Sequence, residues 1–226
     1  MSEGVAVRLV RIAGTVVLVL FLGFQLVNPR RPVTANTPGF TDPVAGFELA
    51  STPDDVLGIL GAPGHPARET TVRAMIAGTR LDFLFLVAYP TFTAAIALWL
   101  VARGAPRRLA AVVIGLAVVM VLGDALENRE LLLLARTVDP NAMWPALGRL
   151  RVFTLAKWWA IYIAAALLGA ALLGRRASVA DRAVGGTFAL AALCGAVSVV
   201  HRPAIEWGIA PLGLAWLATY VRAWRT

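Results

Sequence analysis

The segment Leu109–Asn128, LAAVVIGLAVVMVLGDALEN, decides how the chain is read. From Leu109 to Leu122 every residue is apolar or glycine, and then Asp124, Glu127 and Asn128 arrive together. A helix needs about 20 predominantly apolar residues to cross the hydrocarbon core of a bilayer, and this segment supplies them. Residues spaced i, i+3 and i+4 share one helical face, so the three polar groups point the same way. A carboxylate at membrane depth costs about 2.5–3.5 kcal/mol on insertion scales. That face therefore has to meet partners or water.

Composition carries the same reading to the whole chain. Of 226 residues 59% are hydrophobic, and the mean hydropathy is +0.74, whereas soluble domains are about 45–50% apolar. The formal net charge is +8, nearly all from arginine, since Lys157 is the only lysine. A nucleic-acid interface needs basic residues gathered on one soluble face; here they lie between apolar runs, so no nucleic-acid partner is expected and membrane topology accounts for them. The bias toward Ala, Arg, Gly, Val and Leu suggests a bacterial chain. Cys194 stands alone in an apolar run, which leaves no intrachain disulfide, thiolate cluster or C-x-x-C-H haem attachment. It reads as a small packing residue.

Six spans follow, at about 12–27, 74–102, 109–128, 152–174, 183–200 and 204–221, giving an all-α integral membrane protein. The third continues as helix to Ala135. The chain divides into an N-terminal span (1–27), an external segment (28–73) and a five-helix membrane bundle (74–226). Asn28-Pro29-Arg30-Arg31 follows the first span without a small-x-small cleavage site, so that span is read as uncleaved. Pro90 interrupts the hydrogen bonding of the second span, and Asp139-Pro140-Asn141 with Trp144-Pro145 reads as a connection. In the external segment Thr52 is placed to cap a helix, Pro53 to occupy its first position, and Asp54 and Asp55 to meet its positive end. Val56, Leu57, Ile59 and Leu60 then give a short amphipathic helix ending at Gly61, on the membrane surface or over the bundle mouth. Ala165/Gly169, Ala170/Gly174 and Ala191/Gly195 are small-x-x-x-small pairs suited to close helix approach.

Six spans put both termini on one side. That side holds Arg8, Arg11, Arg103, Arg107, Arg108, Arg175, Arg176, Arg182, Arg222 and Arg225 in short segments, which places both termini in the cytoplasm and the chain in the bacterial inner membrane. Depth can then be counted along each span from its cytoplasmic arginine. At about 1.5 Å per residue, Asp82, Asp124, Glu127, Lys157, His201 and Glu206 all fall about 24–31 Å away. With a hydrocarbon core of about 30 Å, they share one layer near the external face. The expectation is a polar chamber of these six groups, with Arg80, Asn128 and Arg202 at its rim and Tyr89, Thr154, Trp158, Trp159 and Trp207 at similar depth. The tryptophans also fit an aromatic belt or the wall of a pocket for a cationic or isoprenoid group.

Three roles are open to such a chamber. It can be a buried ion-pair network that fixes helix register, joining Asp124 or Glu127 to Lys157 and Asp82 to Arg80 or Arg202, or equally a ligand site. It can be catalytic, with Asp82, Asp124 and Glu127 as acid and base, Lys157 orienting an anionic head group and His201 moving protons; the substrate would be a lipid or isoprenoid. It can be a small transporter or proton relay, although the apolar inner halves show no path and no inverted pair of broken helices is visible. A metal on carboxylates and one histidine lacks a fixed ligand spacing, so no metal or cofactor is assigned. The partners expected are membrane lipid and a hydrophobic ligand; oligomeric state has no signal in the sequence.

Leu81-Asp82-Phe83 with Tyr89, then Gly123-Asp124-Ala125-Leu126-Glu127-Asn128, then Lys157-Trp158, is an order that resembles a group of bacterial polytopic membrane proteins. The resemblance covers roughly residues 47–174. It implies that Asp82, Asp124, Glu127, Asn128 and Lys157 form one site, and it carries no activity.

Overall fold

The computed structural model describes residues 1–174 and 178–225; Arg175 and Arg176, expected to close the fourth span, lie outside the described residues. All regular structure among the described residues is helical: α1 (Glu3–Val27), α2 (Pro43–Glu48), α3 (Pro53–Leu60), α4 (Arg68–Ala102), α5 (Arg107–Arg136), α6 (Pro140–Leu172), α7 (Val179–Val197) and α8 (Ala204–Ala223). Six of these, α1 and α4 to α8, are long and apolar enough to cross a membrane. Large apolar side chains such as Ile12, Val118, Leu122, Leu193 and Leu214 stand exposed along them, as lipid-facing surface requires.

The chain forms two compact units. One comprises Met1–Val19, Val87–Val121 and Trp158–Thr226, the other Leu20–Leu86 and Leu122–Lys157. Charge is divided unequally between them. The first unit has eleven arginines against Glu3, Asp181 and Glu206, so it carries the whole +8; in the second, ten acids balance nine arginines and Lys157.

In the first unit, α1 buries Ala6, Val10, Ala13 and Val17 at helical spacing. Gly14 lies on the same face, where a Cβ would strike the Tyr220 and Phe92 rings. Ser178 and Asp181 form a capping box at the start of α7. The same Asp181 carboxylate accepts from Arg222 at 2.7 Å and Arg103 at 3.3 Å, tying the ends of α4 and α8 to the start of α7. Gly169 meets the backbone of Gly185, and Gly195 is filled by the Tyr162 ring, whose hydroxyl donates to the Ile205 carbonyl. Gly174 has no comparable neighbour. Between α7 and α8, residues 198–200 and 202–203 form turns on either side of His201, as His201-Arg202-Pro203 leads one to expect.

The second unit is built around overhanging helix ends. α4, α5 and α6 have 35, 30 and 33 residues, or about 52, 45 and 50 Å at about 1.5 Å per residue. A hydrocarbon core of about 30 Å cannot contain them. These helices bring Met75, Leu131, Leu134, Met143, Leu147 and Leu150 into one apolar core with Phe47, Val56, Ile59 and Leu60. The apolar face of α3 is therefore covered by protein, which decides for the position over helix ends and against the membrane surface.

The local chemistry of that cap follows in part from its sequence. Thr52 and Asp55 make a reciprocal capping box, with Pro53 in the first turn and Gly61 at φ +90° ending the helix. Two features differ from expectation. Asp42 caps a second short helix, α2, by accepting from the N–H groups of Val44 and Ala45, again with proline in the first turn. α6 begins at Pro140 and continues through Pro145, where a connection was expected. A proline this close to a helix start removes only one early bond, and Asn141 and Pro145 are both exposed, so water can satisfy the freed carbonyl.

Candidate functional site: a buried carboxylate–lysine cluster

The GDALEN stretch lies on α5 and its three polar side chains share a face as their spacing requires. That face is closed: Asp124, Glu127 and Asn128 are 2%, 0% and 1% exposed. Opposite it on α6 stands Lys157, 4% exposed. Gly123 is what lets the two helices meet here. A Cβ at that position would lie 3.1 Å from the Phe153 carbonyl oxygen and 3.2 Å from the Lys157 amide nitrogen, tighter than ordinary van der Waals contact. Glycine removes that obstruction and brings the root of the Lys157 side chain to the carboxylates.

Lys157 Nζ donates to Glu127 Oε1 at 2.6 Å, to Glu48 Oε2 at 3.1 Å and to Asp124 Oδ1 at 3.4 Å. Three carboxylates from α2 and α5 thus converge on one ammonium. A fourth joins through Asn128, whose Nδ2 donates to Asp82 Oδ2 of α4 at 2.7 Å. Thr154, one turn before Lys157, donates to the backbone carbonyl of Glu48 at 3.1 Å, which seats the end of α2 over the cluster. Glu48 and Asp82 are half-buried and form its accessible edge. One acceptor is left over: Glu127 Oε2 is buried and has no hydrogen-bond partner.

Of the expected site residues, the structure brings together Asp82, Asp124, Glu127, Asn128 and Lys157. Arg80 is exposed and makes no ion pair with Asp82, because side chains two apart on a helix do not face one another; Asp82 is held by Asn128 instead. Tyr89, Trp158, His201, Arg202 and Glu206 belong to the other unit. There Trp158 stacks on Tyr162, the exposed His201 ring lies 4.9 Å from that of Trp207, and Tyr89 lies 6.0 Å from Trp216.

Two acidic residues of this unit were missed by sequence reasoning. Glu48 sits in a polar, proline-rich segment outside the spans along which depth was counted. The repeat of an acid or hydroxyl followed by proline, Asp42-Pro43 and then Thr52-Pro53, was the available sign that a second helix precedes α3. Glu130 lies two residues past the GDALEN stretch. It is buried, and Arg149 grips both of its oxygens at 3.1 and 2.8 Å.

Chemically, the cluster offers an excess of buried carboxylate around a single fixed ammonium. Among the described residues no group of three or more His, Cys, Asp and Glu side chains is arranged to hold a metal ion; Lys157 Nζ occupies the point on which Glu48, Asp124 and Glu127 converge. Comparisons of this chain with family models, with curated proteins and with solved structures gave no match.

Proposed function

We propose that the chain is a multi-pass protein of the bacterial inner membrane, with both termini in the cytoplasm, and that the cluster around Lys157 is a ligand-binding site beneath an extracytoplasmic cap. The concentration of the net +8 in the unit that contains both termini supports the orientation, since positive charge collects on the cytoplasmic side. The length of α4, α5 and α6, greater than the hydrocarbon thickness, supports a cap in water.

The observation that carries the binding reading is the unpartnered Glu127 Oε2 within a group of four carboxylates and one lysine. A network kept only for helix register gains most when every buried polar atom is satisfied, and one ion pair suffices to set register. Three further carboxylates add desolvation cost and no further registration. They make sense where something else arrives.

Native mass spectrometry of the protein released from nanodiscs tests this, with wild type beside Asp124→Asn/Glu127→Gln. A discrete adduct on wild type, absent from a double variant that keeps its fold, is the expected result. No adduct on wild type, with a variant that only melts earlier, would return the cluster to a packing role.

A second reading is membrane-embedded acid/base catalysis on a lipid or isoprenoid. The different surroundings of two carboxylates favour it: Asp82 at the edge bonded to an amide, and Glu127 fully buried against an ammonium. Distinct environments are how paired carboxyls acquire acid and base roles. In that case Glu127→Gln abolishes turnover of an envelope lipid while leaving the fold intact.

A further inference from the structure

Resting on the binding reading above, we infer that the ligand's recognised group is a protonated amine bearing N–H groups, as in an aminophospholipid head group or a free alkylamine. Charge is the first reason. No second cationic side chain stands within ion-pairing distance of Asp82, Asp124 or Glu127 among the described residues; their single ammonium is Lys157. The other basic groups near this unit's core are engaged elsewhere, Arg149 by Glu130 and Arg68 by the carbonyls of Gly61 and Thr137. A ligand that enters a site of four carboxyl groups around one ammonium fits by bringing positive charge and hydrogen-bond donors, whereas an anionic head group adds acceptors to a site already rich in them.

Hydrogen bonding narrows the cation. Glu127 Oε2 is an acceptor without a donor, and a buried acceptor left unmet carries its full desolvation penalty. A quaternary ammonium has no N–H to give and is instead recognised by aromatic cages. The unit that holds the cluster contains no tyrosine, and its one tryptophan, Trp144, is exposed on α6. A primary ammonium offers three donors, and the cluster already binds one such group in the Glu48, Asp124 and Glu127 contacts of Lys157 Nζ.

The way in is through the edge. Glu48 is the cluster member with an accessible side chain that comes from the cap and not from a long helix, with 17% of that side chain exposed.

The test uses full-length protein in nanodiscs containing equal parts phosphatidylethanolamine, phosphatidylcholine and phosphatidylglycerol, followed by native mass spectrometry of retained lipid. Phosphatidylethanolamine is expected to be retained about tenfold over the other two, the ratio that one unmet buried acceptor predicts. Glu127→Gln should remove that preference, and Glu48→Gln, at the edge and away from the helix contact, should weaken it. If Glu127→Gln does not fold by near-ultraviolet circular dichroism, the Glu48→Gln ratio decides. Displacement of the lipid by millimolar ethanolamine marks the amine as the recognised group; retention of ethanolamine with no lipid preference marks a soluble amine as the ligand, and either result supports the inference. Equal retention of phosphatidylcholine, or preference for phosphatidylglycerol, overturns it and leaves the binding reading standing. No retained lipid and no retained amine on wild type overturns both.

Discussion

Lys157 Nζ of α6 lies 2.6 Å from Glu127 Oε1 of α5, with both side chains shielded from solvent, and this contact joins the two helices where Gly123 lets them approach. Its energetics are set by what surrounds it. Glu48 and Asp124 face the same ammonium, and among the described residues Lys157 is the one cation paired with the buried Asp124 and Glu127. Removing it is a different operation from removing one of the acids.

Lys157→Met should accordingly destabilise the protein by about 3–5 kcal/mol, the range for leaving buried charge uncompensated. Lys157→Met combined with Glu127→Gln should recover part of that loss, because one of the stranded charges goes too. Equilibrium unfolding in mixed micelles gives the double-mutant cycle. A strictly additive cycle would mean that the two groups do not share the energetic coupling their geometry implies.

Gly123 makes a steric prediction at the same helix pair. Gly123→Val places branched carbon against the Phe153 carbonyl and the Lys157 backbone, and overpacking of this sort costs about 1–3 kcal/mol. Gly148 on α6 has nothing within 4 Å of an added Cβ, so Gly148→Ala should be neutral or mildly stabilising through helix propensity. Thermal melting of the two variants separates close approach from a general intolerance of substitution.

The cap depends on its helix starts. Asp42 accepts at 2.7 and 2.9 Å from the first-turn N–H groups of α2, and Thr52 with Asp55 closes the start of α3. Asp42→Ala and Thr52→Ala should each cost about 1 kcal/mol. The loss should be local: amide hydrogen exchange should rise over residues 42–61, with α7 and α8 unchanged. Asp42→Ala should also loosen Glu48, five residues along from Pro43, and so weaken whatever the cluster retains.

How far these features could be read from sequence divides along a physical line. Asp124, Glu127, Asn128 and Lys157 were legible because each interrupts an apolar run, and helical spacing fixes which of them share a face. The α3 start was legible because capping chemistry is local. Glu48 was not, since its place depends on a cap folding back over distant helix ends, and no periodicity within residues 28–67 encodes that. The Arg80–Asp82 pairing fails for a related reason. Depth counted along a helix says how far along its axis a residue sits, and the angle around the axis decides what it touches.

Glu130 and Arg149 test burial against exposure. Glu130 is 1% exposed and held at two oxygens, whereas the Arg73–Glu69 pair at 3.1 Å stands in the open on the first turns of α4. Arg149→Ala strands a buried carboxylate and should lower the melting temperature clearly. Arg73→Ala should leave it nearly unchanged, since exposed ion pairs contribute little. Adding salt should affect neither ordering, because the buried carboxylate is beyond the reach of screening.

Orientation is open to chemical labelling, because Cys194 is the only cysteine. In a Cys194→Ser background, Ala62→Cys lies just past α3, and Arg108→Cys and Arg225→Cys lie at the start of α5 and after α8; all three positions are exposed. A membrane-impermeant maleimide added to intact spheroplasts should modify Ala62→Cys and should reach the other two only after permeabilisation. Arg108 and Arg225 then lie on the cytoplasmic side, as the positive-inside rule requires. The reverse pattern would invert the protein and move the cluster to the cytoplasmic leaflet, where its lipid supply differs. Arg108 and Arg225 must also agree with each other. Two crossings precede the first and six precede the second, so a split result would show that one of the six long helices does not span.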